Sequence, residues 1–176
     1  MALNQQEAQL LAELLGKAEW PLPKAVFHAL LGMSISVPLE LCILDGQNRI
    51  LLFERDDHEF NAILGLGTVL RDTDNDAFLK TAIDRLLATE LLGYAITWPQ
   101  NIGVVHVPRG NGPGQNRTRH EISLVYLARL NPGYTQNGKG VFYSLDALPD
   151  RLIDYHRVMI DRVARYLREG KPLLIG

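Results

Sequence analysis

The sequence has a single cysteine, Cys42, in 176 residues. No intramolecular disulfide can form, which suits a reducing compartment and makes the cytoplasm the expected location. Cys42 lies within an apolar stretch and reads as a small buried hydrophobe rather than a nucleophile. Long apolar runs are missing too: none approaches the ~18–20 residues that a membrane-spanning helix needs. The N-terminus has neither the basic start nor the apolar block of a secretory signal. Neither sign of charge dominates, since 18 Lys and Arg face 20 Asp and Glu for a formal net charge of −2. That balance gives no general attraction to nucleic acid or to an anionic membrane. Internal repeats and low-complexity segments are absent.

The apolar content is 47%, enough for a proper core in one domain with a short appendage. Residues 4–17 read as an amphipathic helix with Leu10, Leu11, Leu14 and Leu15 on one side. Trp20-Pro21-Leu22-Pro23 interrupts it, and a second short helix follows over Lys24–Met33. Pro38 introduces a strand over 39–44, Asp45-Gly46 signals a turn, and 49–53 returns as the second arm of a hairpin that ends in Glu54-Arg55. Residues 56–76 read as irregular, with Gly65, Gly67 and an acidic end. A helix over 75–92 is capped by Asp74 or Asn75 and stopped near Gly93. Strands over 102–107, 121–130 and 141–144 and a helix over 150–168 complete the chain, and a glycine-rich basic loop fills 108–119. The class is α/β or α+β, with a mixed sheet covered by helices.

Several residues carry candidate chemistry. In the 75–92 helix Leu79, Ala82, Ile83, Leu86 and Leu87 recur at three- and four-residue spacing, and Glu90 projects onto the middle of that stripe. A carboxylate buried there needs a metal ion, an arginine or a proton to compensate it. The plainer alternative is an ion pair near the helix end, or a rotated, solvated glutamate. His120 opens a strand behind the basic loop, where an imidazole can take a proton from water or serve only structure, and His106 is the second candidate. Arg55, Arg85 and Arg119 offer guanidinium forks for phosphate, while Arg85 equally suits an ion pair with Glu54 or Asp84. The run Asp72, Asp74, Asp76 lacks the spacing of a calcium loop and reads as a solvated helix N-terminus.

A hairpin, a glycine-containing segment, a helix ending in Glu90-Leu91-Leu92-Gly93-Tyr94 and further strands resemble the Nudix hydrolase superfamily. Arg85 falls on the arginine of that family's box, Glu90 on its last glutamate, and Gly93-Tyr94 on its ending. The box is degenerate: Leu86 and Thr89 stand where the family has helix glutamates, an insertion precedes Arg85, and an extra leucine precedes Gly93. Within the superfamily the pattern is most similar to the GDP-mannose mannosyl hydrolases, through Ala82–Leu91, through Val37-Pro38-Leu39-Glu40-Leu41, and through a second strand ending in Arg55. Thr118-Arg119-His120 precedes a late strand, as a catalytic histidine does in that branch.

The resemblance implies a Nudix-like α/β/α sandwich over 37–176 behind an N-terminal helical extension over 1–36. It implies a Mg²⁺-dependent hydrolase, with Mn²⁺ as a substitute, acting on a nucleoside diphosphate derivative such as a nucleotide sugar. His120 would be catalytic; Arg55, Arg85, Arg119 and Glu40 would bind substrate; Glu90 and the backbone carbonyl of Leu66 would hold the metal. The lost glutamates keep an alternative open, a catalytically inactive Nudix-like domain that binds a ligand or regulates. The leucine-rich N-terminal helices suit packing on the domain or, as the expected assembly, a homodimer.

Overall fold

The computed structural model describes residues 4–17, 22–33, 35–56, 61–69, 78–91, 95–107, 120–132 and 140–172. The elements are α1 (Gln5–Gly16), α2 (Lys24–Met33), β1 (Ile35–Ser36), β2 (Pro38–Leu44), β3 (Ile50–Asp56), β4 (Asn61–Leu64), β5 (Leu66–Val69), α3 (Phe78–Thr89), β6 (Gln100–Val107), β7 (His120–Arg129), β8 (Val141–Tyr143) and α4 (Asp154–Glu169). The expected helix caps at Asp74 or Asn75 and at Gly93, the acidic run and the 108–119 loop lie outside the described residues.

The sheet is mixed, in the order β1-β7-β2-β3-β4, with β6 on β7, β5 on β2 and β8 on β3. β7 runs parallel to β1 and β2, whereas β6 meets β7 antiparallel. β2 is buried along its whole length. Its alternate residues serve two cores, as the period of two requires. Leu39, Leu41 and Ile43 pack with Ala82, Ile83 and Leu86 of α3, while Cys42 and Leu44 pack with Met159, Ile160 and Val163 of α4. The result is a three-layer α/β/α arrangement, as the sequence predicts. Among the described residues, no helix is long and apolar enough to cross a membrane.

The segment expected to be irregular contains two strands. β3 pairs with β2 only at Leu44↔Ile50, then parts from it and pairs with β4, while β5 takes the vacated edge of β2 from Pro38 to Leu41. The chain therefore changes partner at Gly65, between β4 and β5. Two four-residue strands interrupted by glycine have too short an alternation to show in the sequence. α4 begins at Asp154 rather than at 150, because the preceding residues are held in extended contact with β4: Ile63 N–H donates to Arg151 O at 3.1 Å and Ile153 N–H to Ile63 O at 3.3 Å. α4 ends at Gly170 in the left-handed conformation, with φ 66°.

The expected β2–β3 hairpin is present, and Asp45 is its organiser. Asp45 Oδ1 accepts from Gln47 N–H at 2.9 Å and from Arg49 N–H at 2.8 Å, and Oδ2 accepts from Arg49 Nε at 2.7 Å. Asn48, not Gly46, takes the left-handed position, with φ 58°. Burial pushes the Asp45 carboxyl up, but the Arg49 and Gln47 hydrogen bonds and the Arg49 charge outweigh it and hold the group below the usual carboxylate range. A depressed folded-state pKa stabilises the fold above the unfolded value near ~3.9, and that stability is lost as pH falls through the folded value. Asp45→Asn is therefore expected to cost about 1–2 kcal/mol at pH 7 in a urea titration. The gap between the two chains should close as both are titrated from pH 7 down through the lowered Asp45 value.

Candidate functional site

β2 is an apolar strand with one carboxylate in it. Glu40 lies only 4% exposed, on the face that looks toward α4. Its strand neighbour is Gly67, in register across the β2–β5 ladder. A Cβ at Gly67 would stand 2.5 Å from Glu40 Oε2, so glycine there gives the carboxylate its present place. His156, in the first turns of α4 and 2% exposed, meets Glu40 from the helix side, with Nε2 3.5 Å from Oε2. That separation is an electrostatic contact rather than a well-formed hydrogen bond. The other ring nitrogen is fully engaged: Gly65 N–H donates to His156 Nδ1 at 3.0 Å. A nitrogen that accepts a hydrogen bond carries no proton, so the ring proton is on Nε2 and faces the carboxylate. Two more buried polar residues of β7, Glu121 and Ser123, share this face of the sheet.

The sequence-predicted residues distribute around this line as follows. Leu66, between the two glycines, is buried with Ala82, Ile83 and Leu86 on the α3 side. Glu90 lies just past the last helical residue, and its N–H still donates to Leu86 O at 2.9 Å. It is exposed, not buried in the apolar stripe. The helix stops at Thr89, and Leu91, 1% exposed, takes the core position instead. Glu40 and Glu90 thus belong to opposite layers. Leu86, at the position of the family's first helix glutamate, is core. Thr89, at the second, turns its hydroxyl back onto Arg85 O at 3.0 Å.

Arg85 is half-buried on α3, and Arg55 is exposed near the end of β3, opposite Ala62. Of the two carboxylates offered for Arg85 in the sequence, Glu54 bonds Arg151 at 2.6 Å and Asp84 pairs with Lys80. His120 opens β7 opposite Ile35, and its side chain and all of Arg119 lie outside the described residues. His106 is half-buried in β6, opposite Ile122. Among the described residues, no group of three or more His, Cys, Asp or Glu gathers as a metal site. A hard cation can be held by as little as one carboxylate, with water and substrate phosphate completing its shell, and Glu90 is an exposed carboxylate. His156 was legible in the sequence as a helix residue only. Its signal was its place on the stripe of α4, three, four and seven residues before Met159, Ile160 and Val163.

No family model matches this chain, and neither does any curated protein. Solved structures do. A MutT Nudix hydrolase from Burkholderia pseudomallei is 23% identical, with a TM-score of 0.55 over 74% of this chain and 98% of that one. A UDP-X diphosphatase is 15% identical, with a TM-score of 0.55 over 96% of this chain and 82% of that one. The Nudix domain of Shewanella oneidensis NrtR, solved with ADP ribose, is 16% identical, with a TM-score of 0.53 over 89% of this chain and 97% of that one. At these identities the likeness is one of fold: the chain has the Nudix-type arrangement of mixed sheet and flanking helices.

Cys42 stands two residues beyond Glu40 on the same face of β2. Burial pushes its thiol up to about 12, and the Glu40 charge adds to the effect. Its thiolate is the nucleophile that alkylating reagents need. Cys42 should therefore resist iodoacetamide at pH 8 in the folded protein and react fully in guanidinium, as read by intact mass. Stoichiometric labelling of the native chain would contradict its placement.

Proposed function

We propose that this chain is a Mg²⁺-dependent hydrolase of a nucleoside diphosphate derivative, with nucleotide sugars as the substrate class. The observation that carries the reading is the setting of Leu66. This residue lies in a glycine-flanked strand directly beneath α3, whose end presents the exposed Glu90 carboxylate. In the resemblance, that strand and that helix supply the metal site. The fold likeness supports it, since one neighbour is a UDP-X diphosphatase and another holds ADP ribose.

In this reading Glu90 and the Leu66 carbonyl hold the cation, with Mn²⁺ as a substitute. When bound, the metal neutralises charge on the diphosphate oxygens. The exposed Arg55 guanidinium binds phosphate, Arg85 and Arg119 bind or orient the substrate, and His120 takes the proton from the attacking water. The GDP-mannose mannosyl hydrolase pattern places attack on the sugar carbon. Leu86 in the core and Thr89 bonded to the helix backbone are compatible with that chemistry, which does not call on the family's full set of helix carboxylates. Glu40 is kept in this reading, but its burial gives it an indirect role. The chain reads as a helical extension over 1–36 and a Nudix-like domain over 37–176, acting in the cytoplasm.

The second reading is a ligand-binding domain without turnover. Leu86 as a core residue favours it, because that position can no longer offer a carboxylate. Turnover of a nucleotide-sugar panel with Mg²⁺ separates the two: sugar or phosphate release is expected, whereas saturable binding with no product would select the second reading. Glu90→Gln is expected to lower kcat by roughly a hundredfold, the scale of a lost metal contact. Unchanged kcat and metal affinity would remove Glu90 from the mechanism.

The homodimer remains part of the proposal. α1 buries none of its residues, and Leu10, Leu11 and Leu14 form an exposed apolar face that a second copy would cover. Light scattering should give twice the chain mass, and Leu14→Glu should shift it toward one. A monomeric mass for the unsubstituted chain would contradict the assembly.

A further inference from the structure

We propose that His156 and Glu40 are positioning residues that fix the path of the Gly65-Leu66-Gly67 backbone, and so set where the Leu66 carbonyl meets its ligand; this rests on the hydrolase reading above. The chain at Gly65 leaves β4 and joins β5, and therefore lacks the continuous ladder that holds an ordinary strand. His156 Nδ1 accepts the Gly65 N–H at that corner. Glu40 fills the space that a side chain at Gly67 would occupy. The contacts bracket Leu66 from both sides, one residue away in each direction. Both lie on the α4 face of the sheet, His156 from α4 and Glu40 from β2, while Leu66 packs with α3 on the other face.

The two residues are held to this task by their surroundings. The Ile63 and Ile153 backbone hydrogen bonds and the parallel Ile63↔Leu152 bridge tie the start of α4 to β4, which fixes the ring under the corner. A Cβ at Gly65 would lie 3.3 Å from the ring, so the backbone passes within van der Waals contact of it. Nε2 faces Glu40 at 3.5 Å without a formed hydrogen bond, and the bond from Gly65 to Nδ1 is the one that fixes the ring. Neither residue needs to touch substrate. A Cβ would press on the His156 ring at 65 and on the Glu40 carboxylate at 67, so glycine at both positions suits the same two contacts.

The test uses the full chain. In isotope-labelled protein, a scalar coupling across the Gly65 N–H···Nδ1 bond is expected, together with an unprotonated Nδ1. His156→Leu removes the acceptor at similar volume and should speed Gly65 amide exchange at least tenfold while the β2 and β7 amides keep their rates. It should also weaken Mn²⁺ binding by roughly tenfold, the lower end of what a lost partner behind a ligand costs. His156→Asn places an oxygen near the Nδ1 position and should recover most of the Gly65 protection; it also serves if the leucine variant does not fold. No coupling in the unsubstituted chain, or unchanged Gly65 exchange and Mn²⁺ affinity in a folded His156→Leu, would overturn the proposal. Absence of Mn²⁺ binding in the unsubstituted chain would instead overturn the hydrolase reading, and the coupling and exchange rates would then decide the loop contact alone.

Discussion

A carboxylate sealed inside the central strand has to be met by something, and in this chain the contact of Glu40 with His156 meets it. Burying an ionisable group without a partner costs several kcal/mol, comparable to the whole margin of a small domain. The imidazole faces it with Nε2 at 3.5 Å, an electrostatic contact that leaves both atoms without a hydrogen bond, and accepts the Gly65 N–H with its other nitrogen. One side chain therefore links the helix layer, the central strand and the corner where the chain changes partner. Remove it, and the sheet keeps its apolar packing on both faces, but the corner loses the side-chain hydrogen bond that His156 accepts.

The same contact explains why the two sides of β2 differ. The α3 side is purely apolar at the strand, with Leu39, Leu41 and Ile43 beneath Ala82, Ile83 and Leu86. On the α4 side, by contrast, Glu40, Glu121, Ser123 and His156 are buried. An apolar layer can be repacked with small losses, whereas a polar one specifies its partners. The proposed metal contact thus sits on the permissive layer and is aligned from the demanding one.

Much of this was legible beforehand. Period-two apolar runs gave β2, β3, β6 and β7, and three- to four-residue spacing gave α1, α3 and α4 to within a few residues. β4 and β5 were missed because four residues and a glycine do not make a period. Glu90 misled for a geometric reason: its projection assumed that the helix continued, and the helix ends one residue earlier. The informative charge was Glu40, a glutamate in Pro-Leu-Glu-Leu-Cys-Ile-Leu, which belongs to no apolar strand without a partner. Its partner lies 116 positions later in the chain (156 minus 40), and no local pattern connects the two. His156 on the stripe of α4 and Glu40 in an apolar strand are each odd in isolation, and only the fold makes them one feature.

The most direct test of the account is a crystal structure of the chain soaked with Mn²⁺ and a non-hydrolysable nucleotide sugar. The account predicts a cation about 2.0–2.2 Å from the Leu66 carbonyl and a Glu90 oxygen, with diphosphate oxygens completing its shell and Gly65 still bonded to His156. Ligand bound elsewhere, or a cation that ignores both Leu66 and Glu90, would contradict it.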